Sequence, residues 1–155
     1  MKRLFFSILL ISLFTASAFA QDNADLEKEK ELVKKVITSA YQEGISNKGD
    51  VEAVRQGFHP GFNIIGVNKN NSLWKYPIYS WIESVEQKIK DGKYPPEEKI
   101  TFKYPLIDIT EKAAMAKVQY FKGSKHVYTD YLSLYKFKEG WKIVNKIYWQ
   151  HEENK

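Results

Sequence analysis

From Lys99 to Gln150 apolar residues alternate with polar ones almost without interruption, and short turn strings punctuate the alternation. An extended chain points successive side chains to opposite sides, so a two-residue period predicts strands with one covered face. Ile100, Phe102, Tyr104 and Leu106 form one such run, and Ala114, Ala116, Val118 and Tyr120 form the next. Lys122-Gly123-Ser124-Lys125 and Lys138-Glu139-Gly140 read as hairpin turns. His126 to Phe137 and Trp141 to Gln150 then complete an antiparallel meander.

Upstream the period is helical. Leu26, Leu32, Val33, Val36, Ile37, Ala40 and Tyr41 recur at three, four and seven residues among charged ones, which predicts a long amphipathic helix with Gly44 as its stop. Asp50 is placed to cap a short helix from Val51 to Gln56 that Gly57 ends. Phe58-His59-Pro60-Gly61 interrupts regular structure before a buried strand from Phe62 to Val67, a turn over residues 68–71 and a short return from Ser72 to Lys75. Ile78, Trp81, Ile82, Val85 and Ile89 give a third helix, stopped by Asp91-Gly92. Helices first and a long meander afterwards define an α+β domain, in which a curved antiparallel sheet wraps helices on one face and encloses a cavity.

The first twenty residues are expected to stand outside that domain. Met1-Lys2-Arg3 is a basic start, Leu4 to Phe14 is an apolar run, and Ala18-Phe19-Ala20 is a small-residue cleavage site, the pattern of a secretory signal peptide. The run is too short for a membrane span. Cleavage after Ala20 would give a periplasmic or secreted protein comprising one domain, residues 21–155. With no cysteine in the chain, disulfides, thiolate metal sites and a lipid-modified N-terminal cysteine are excluded. The mature chain keeps 22 basic residues against 19 acidic ones, spread along its length, which argues for an ordinary solvated surface and against a nucleic-acid partner.

Three strings go further: Gly57-Phe58-His59-Pro60-Gly61-Phe62, the run Tyr128-Thr129-Asp130-Tyr131-Leu132-Ser133-Leu134, and Gly140-Trp141-Lys142-Ile143-Val144-Asn145-Lys146-Ile147. Together with the element order, they make residues 26–149 resemble the "putative lumazine-binding" family of the nuclear transport factor 2-like superfamily. The resemblance implies a cone-shaped α+β fold with a pocket at one end, usually dimeric. It implies no single reaction, because the superfamily includes isomerases, dehydratases, cyclases and binding or scaffolding domains. In its steroid-isomerase branch a general-base carboxylate sits near the end of the first strand. Here that stretch is Asn63-Ile64-Ile65-Gly66-Val67, which holds no acid.

Continuing the alternation through a two-residue turn at Glu139-Gly140 places Tyr128, Asp130, Leu132, Leu134, Trp141, Ile143, Asn145, Ile147 and Trp149 on one face of the last two strands. This is the more aliphatic face and is expected to cover the helices. Asp130 and Asn145 are polar exceptions on it and need partners there. Asp130 is therefore the leading site candidate, as an acid or base, as a ligand anchor, or as a carboxylate that holds Tyr41 or Asn145. His59, where the helices meet the first strand, is the second acid-base candidate, or else a loop residue that caps the short helix. Tyr41, Trp81, Tyr128 and Trp149, with Asn145, are candidates for binding a ligand by stacking and hydrogen bonding, although core packing also accounts for each ring singly.

The three histidines show no metal-ligand spacing, and no nucleotide-binding motif is present, so no metal and no cofactor is expected. Tyr131, Tyr135, Phe137 and Tyr148 fall on the opposite sheet face and predict a homodimer through it. Three functions stay open. The chain could bind a small planar or amphipathic molecule in an aromatic pocket, act as a dehydratase or isomerase through Asp130 and His59, or form a structural dimer with a closed cavity.

Overall fold

The computed structural model describes residues 23–152, and the expected leader over residues 1–20 lies outside them. Helix α1 occupies residues 23–48, α-helical to residue 37 and π-helical over Thr38–Lys48. Its buried stripe, Val33, Ile37, Tyr41 and Ile45, advances four residues at a time. In the α-helical part that step overshoots a full turn of 3.6 residues. The wider π-helical turn makes the same step fall short, so the drift reverses and Tyr41 and Ile45 stay on the buried side. Gly44 does not stop the helix as expected. It faces the short helix α2 (Val51–Gly57), where an added Cβ would lie 3.0 Å from Val54 Cγ2. The stop is Gly49, left-handed at φ 68°. Asp50 caps α2 as expected, its carboxylate accepting from Ala53 N–H at 3.0 Å.

Strand β1 (Phe58–Val67) begins earlier than the sequence suggested and pairs with β2 (Leu73–Pro77) across the turn at residues 68–72. Pro77 leads into α3 (Ile78–Lys90), which buries Ile78, Ile82 and Val85. The meander follows as β3 (Ile100–Thr110), β4 (Ala113–Lys122), β5 (Lys125–Phe137) and β6 (Gly140–Gln150). Among the described residues six strands form one curved, unclosed sheet in the order β2-β1-β6-β5-β4-β3, with β1 and β6 parallel and the other neighbours antiparallel. The inner face carries Phe62, Ala116, Val118, Leu132, Leu134 and Ile143, all buried against the three helices. Glu29 ties α1 to this sheet by accepting from Lys136 Nζ at 2.7 Å and Trp141 Nε1 at 2.8 Å. Those two donors hold its carboxyl below the usual range.

The edge strand β3 is covered by α1. Asn47 works like a strand partner: its Nδ2 donates to the Ile100 carbonyl at 2.9 Å and its Oδ1 accepts from the Ile100 amide at 2.9 Å. Gln42 Oε1 accepts from the Phe102 amide at 2.9 Å, and the Thr38 and Tyr104 hydroxyls meet at 2.8 Å. At the Ile100–Phe102 end of β3, backbone groups that an edge would offer to another chain are thus taken by the same helix that lines the interior.

One irregularity changes the site. Lys136 pairs with Trp141 and Leu134 with Ile143, the even-with-odd pairing that the hairpin reading required. Between Leu134 and Ser133 the register shifts, so that Ser133 pairs with Asn145, Leu132 with Lys146 and Asp130 with Tyr148. This is a bulge at Val144, one extra residue on β6. Beyond it Lys146 and Tyr148 point inward, while Asn145, Ile147 and Trp149 do not. The inward positions expected for those three are corrected: Ile147 is exposed, and Trp149 is 67% exposed.

Candidate functional site

Asp130 stands in the inward row of β5 between Tyr128 and Leu132 and is 0% exposed. A carboxylate so placed needs positive charge or hydrogen bonds. The bulge in β6 delivers both by turning Lys146 inward from the neighbouring strand, where it is 5% exposed, with Nζ 3.0 Å from Asp130 Oδ2. Tyr41, carried in by the π-helical part of α1, donates its hydroxyl proton to the same Oδ2 at 2.8 Å. Lys146 Nζ donates in turn to the Tyr41 hydroxyl oxygen. Three side chains from α1, β5 and β6 thus close a hydrogen-bonded triangle. Burial, followed by the Asp130 charge, pushes the Tyr41 hydroxyl well above its ordinary range. Burial also lowers the Lys146 ammonium, and the Asp130 carboxylate opposes that fall. The second oxygen, Asp130 Oδ1, is buried and has no hydrogen-bond partner among the described residues.

Aromatic rings surround the ammonium. Lys146 Nζ lies 4.6 Å from the ring centre of Tyr41, 5.3 Å from Tyr148, 5.5 Å from Trp81 and 5.9 Å from Tyr128. Edge-to-face contacts lock these rings together, with Tyr41 and Trp81 at 5.4 Å and Tyr128 and Tyr148 at 5.7 Å. Trp74 on β2 completes the wall against Tyr148 at 6.4 Å. It is seated over Gly66, its partner on β1, where any Cβ would fall 2.5 Å from the indole. Above the triangle opens a cavity of about 500 Å³, lined by these rings and by Tyr94, Tyr120 and Ile64.

Of the residues singled out in the sequence, the structure places Tyr41, Trp81 and Tyr128 in the wall of this cavity and Asp130 beneath it, bonded to Tyr41 and Lys146. It does not bring the other three there. Trp149 lies on the outer face. Asn145 has turned away with the bulge and donates to the Asn63 carbonyl at 3.2 Å, holding β6 to β1. His59 stacks at 4.9 Å on Phe137, which belongs to the outward row of β5, and its Nδ1 accepts from the Gly61 amide at 3.0 Å. Asp130 and His59 are thus on opposite sides of the sheet and cannot share a reacting atom, so their expected pairing as acid and base is corrected. Tyr148, expected on the outer face, is also corrected, since it lines the cavity.

Lys146, Tyr148 and Trp74 are the site residues that sequence reasoning missed. The available sign was Asn145, a polar residue in a row read as inward, which a one-residue bulge would have relieved. The remaining histidines form a separate cluster, with His126 Nε2 and His151 Nε2 lying 3.1 and 2.9 Å from the Thr129 hydroxyl. Among the described residues no group of three or more His, Asp or Glu side chains could hold a metal.

Solved structures share this architecture. An NTF2-like protein of unknown function from Shewanella baltica OS155 is 29% identical over 81% of this chain and 96% of that one, with a TM-score of 0.64. Another from Silicibacter pomeroyi DSS-3 is 17% identical over 86% and 98% of the two chains, with a TM-score of 0.59. An NTF2-like protein with a cystatin-like fold from Novosphingobium aromaticivorans is 11% identical over 87% and 90%, with a TM-score of 0.63. The latter two show a shared fold alone. No curated protein matches the chain. The family model described as "Putative lumazine-binding" matches residues 28–149, from within α1 to the end of the meander, and the chain belongs to that family.

Proposed function

We propose that this domain binds a small planar molecule in the aromatic cavity, with rings of Trp74, Trp81, Tyr128 and Tyr148 against its faces and Lys146 as the polar anchor. The observation that carries this reading is the ammonium at the cavity floor. Of its three N–H groups, two are used by Asp130 and Tyr41, and the third remains for an acceptor on a ligand. A cavity of about 500 Å³ with mostly apolar walls and a few fixed polar groups has the form of a small-molecule site. The family's description names lumazine, a flat heterocycle bearing carbonyl acceptors, which has the right shape and chemistry. We also propose that two copies associate through the outer sheet face, which is remote from the cavity.

Titrating the domain with lumazine while following tryptophan fluorescence tests the binding reading, because Trp74 and Trp81 both line the cavity. Saturable quenching at one ligand per chain is expected. Tyr148→Ala should weaken it about fivefold or more, since an aromatic contact is worth about 1 kcal/mol beyond the area it buries. If neither lumazine nor a set of bicyclic aromatic compounds of similar size, neutral and anionic, saturates, the reading fails.

A further inference from the structure

The charges around the cavity select among planar ligands. Among the described residues four lysines line it, Lys88, Lys93, Lys122 and Lys146, and no Asp or Glu does. Two of the four are already paired. Lys146 is matched by Asp130 beneath it, and Lys93 Nζ lies 3.2 Å from Asp91 Oδ2. Lys88, near the end of α3, and Lys122, at the end of β4, keep exposed ammonium groups at the mouth. Glu97 and Glu98 follow the lining Pro96 but are not part of the cavity wall, and Glu98 lies against Gly123 in the β4–β5 turn. At the mouth the Tyr94 hydroxyl is already committed, donating to the Ile45 carbonyl.

The floor points the same way. The negative faces of aromatic rings attract cations, and in this cavity Lys146 already stands over four of them. A cationic ligand would find those faces occupied by a like charge and would pass two further ammonium groups on the way in. An anion meets no such opposition, and walls of low polarity strengthen its attraction to Lys88 and Lys122.

We infer that the ligand is a planar aromatic anion, whose ring system enters the cage around Lys146 while its carboxylate or comparable acidic group is held at the mouth by Lys88 and Lys122. This rests on the binding reading above and adds the charge of the ligand to it.

Two probes of the same shape separate the two claims: 2-naphthoate, which is anionic, and 2-naphthamide, which is neutral. Calorimetric titrations of both, at low salt and at high salt, are compared between the native chain and the Lys88→Gln/Lys122→Gln double variant. Both lysines are exposed, so the variant is expected to fold normally, which its circular dichroism spectrum would verify. The expected result is roughly tenfold tighter binding of the naphthoate, a preference erased by salt and by the double variant while the naphthamide affinity stays unchanged. Equal affinities, or a preference for the amide, overturn the charge assignment and leave the cavity reading standing. A naphthoate preference that survives in the double variant also overturns it, because the charge is then sensed elsewhere. If neither probe binds and lumazine does not bind either, the cavity reading falls and this inference falls with it.

Discussion

The Asp130–Lys146 pair makes a definite energetic demand on the fold. Taking one partner away leaves the other charge buried and uncompensated, which costs about 3–5 kcal/mol, whereas replacing both by apolar side chains of similar volume is often close to neutral. Asp130→Asn and Lys146→Met should therefore each lower the urea midpoint strongly, by a large fraction of the roughly 5–15 kcal/mol that stabilises an ordinary domain. Asp130→Leu combined with Lys146→Met should recover most of the loss while abolishing ligand binding. If the effects of the two sites instead add, the buried ion pair is not what holds this region. Asp130 was legible in the sequence because strict alternation placed it among Tyr128, Leu132 and Leu134. Lys146 was not, since the same alternation carried on through Val144 turns it toward solvent. A lysine beside Ile147 gives no sign of its own that one extra residue has reversed its side.

At the scale of elements, periodicity located the three helices and six strands, and the errors lie where an irregularity has structural work to do. Gly44 has the look of a helix stop, yet it is the small residue that lets α1 approach α2, and the helix continues as a π-helix. That continuation brings Asn47 to the free edge of β3, a contact between residues 53 positions apart that no local pattern reveals. Asn47→Ala removes both hydrogen bonds to Ile100, whose backbone is buried, and should cost about 2 kcal/mol. Hydrogen exchange provides the more specific measurement: protection of the Ile100 and Phe102 amides should fall while that of central β5 amides is reduced only in step with global stability. Unchanged protection at Ile100 would mean that strand pairing with β4 alone holds this edge.

The whole molecule has two unlike faces, an inner one that closes around the cavity and an outer one that remains apolar. Leu106, Met115, Tyr131, Tyr135, Ile147 and Trp149 belong to outward rows of β3 to β6 and are all exposed, Trp149 most of all. The sequence anticipated such a face from Tyr131, Tyr135 and Phe137. The bulge in β6 changes its membership by removing Tyr148 and adding Ile147 and Trp149, which strengthens the apolar character at the centre. Ile147 sits directly opposite Tyr131 in the register, with Lys117 beyond it on β4. Soluble monomers rarely leave an apolar patch of several large side chains uncovered, and a two-fold axis through such a patch would cover it with its own copy. Light scattering at micromolar concentration should therefore give twice the chain mass. Ile147→Glu should give a single chain mass, with a negative charge at the centre of the face. Because Ile147 is half exposed in the isolated chain, the substitution should leave the monomer's own fold intact. The cavity lies on the other side of the sheet, so lumazine affinity in that variant should match the native chain. A single chain mass for the native protein would remove the outer face as an interface, whereas a dimer that survives Ile147→Glu would move the interface to another surface.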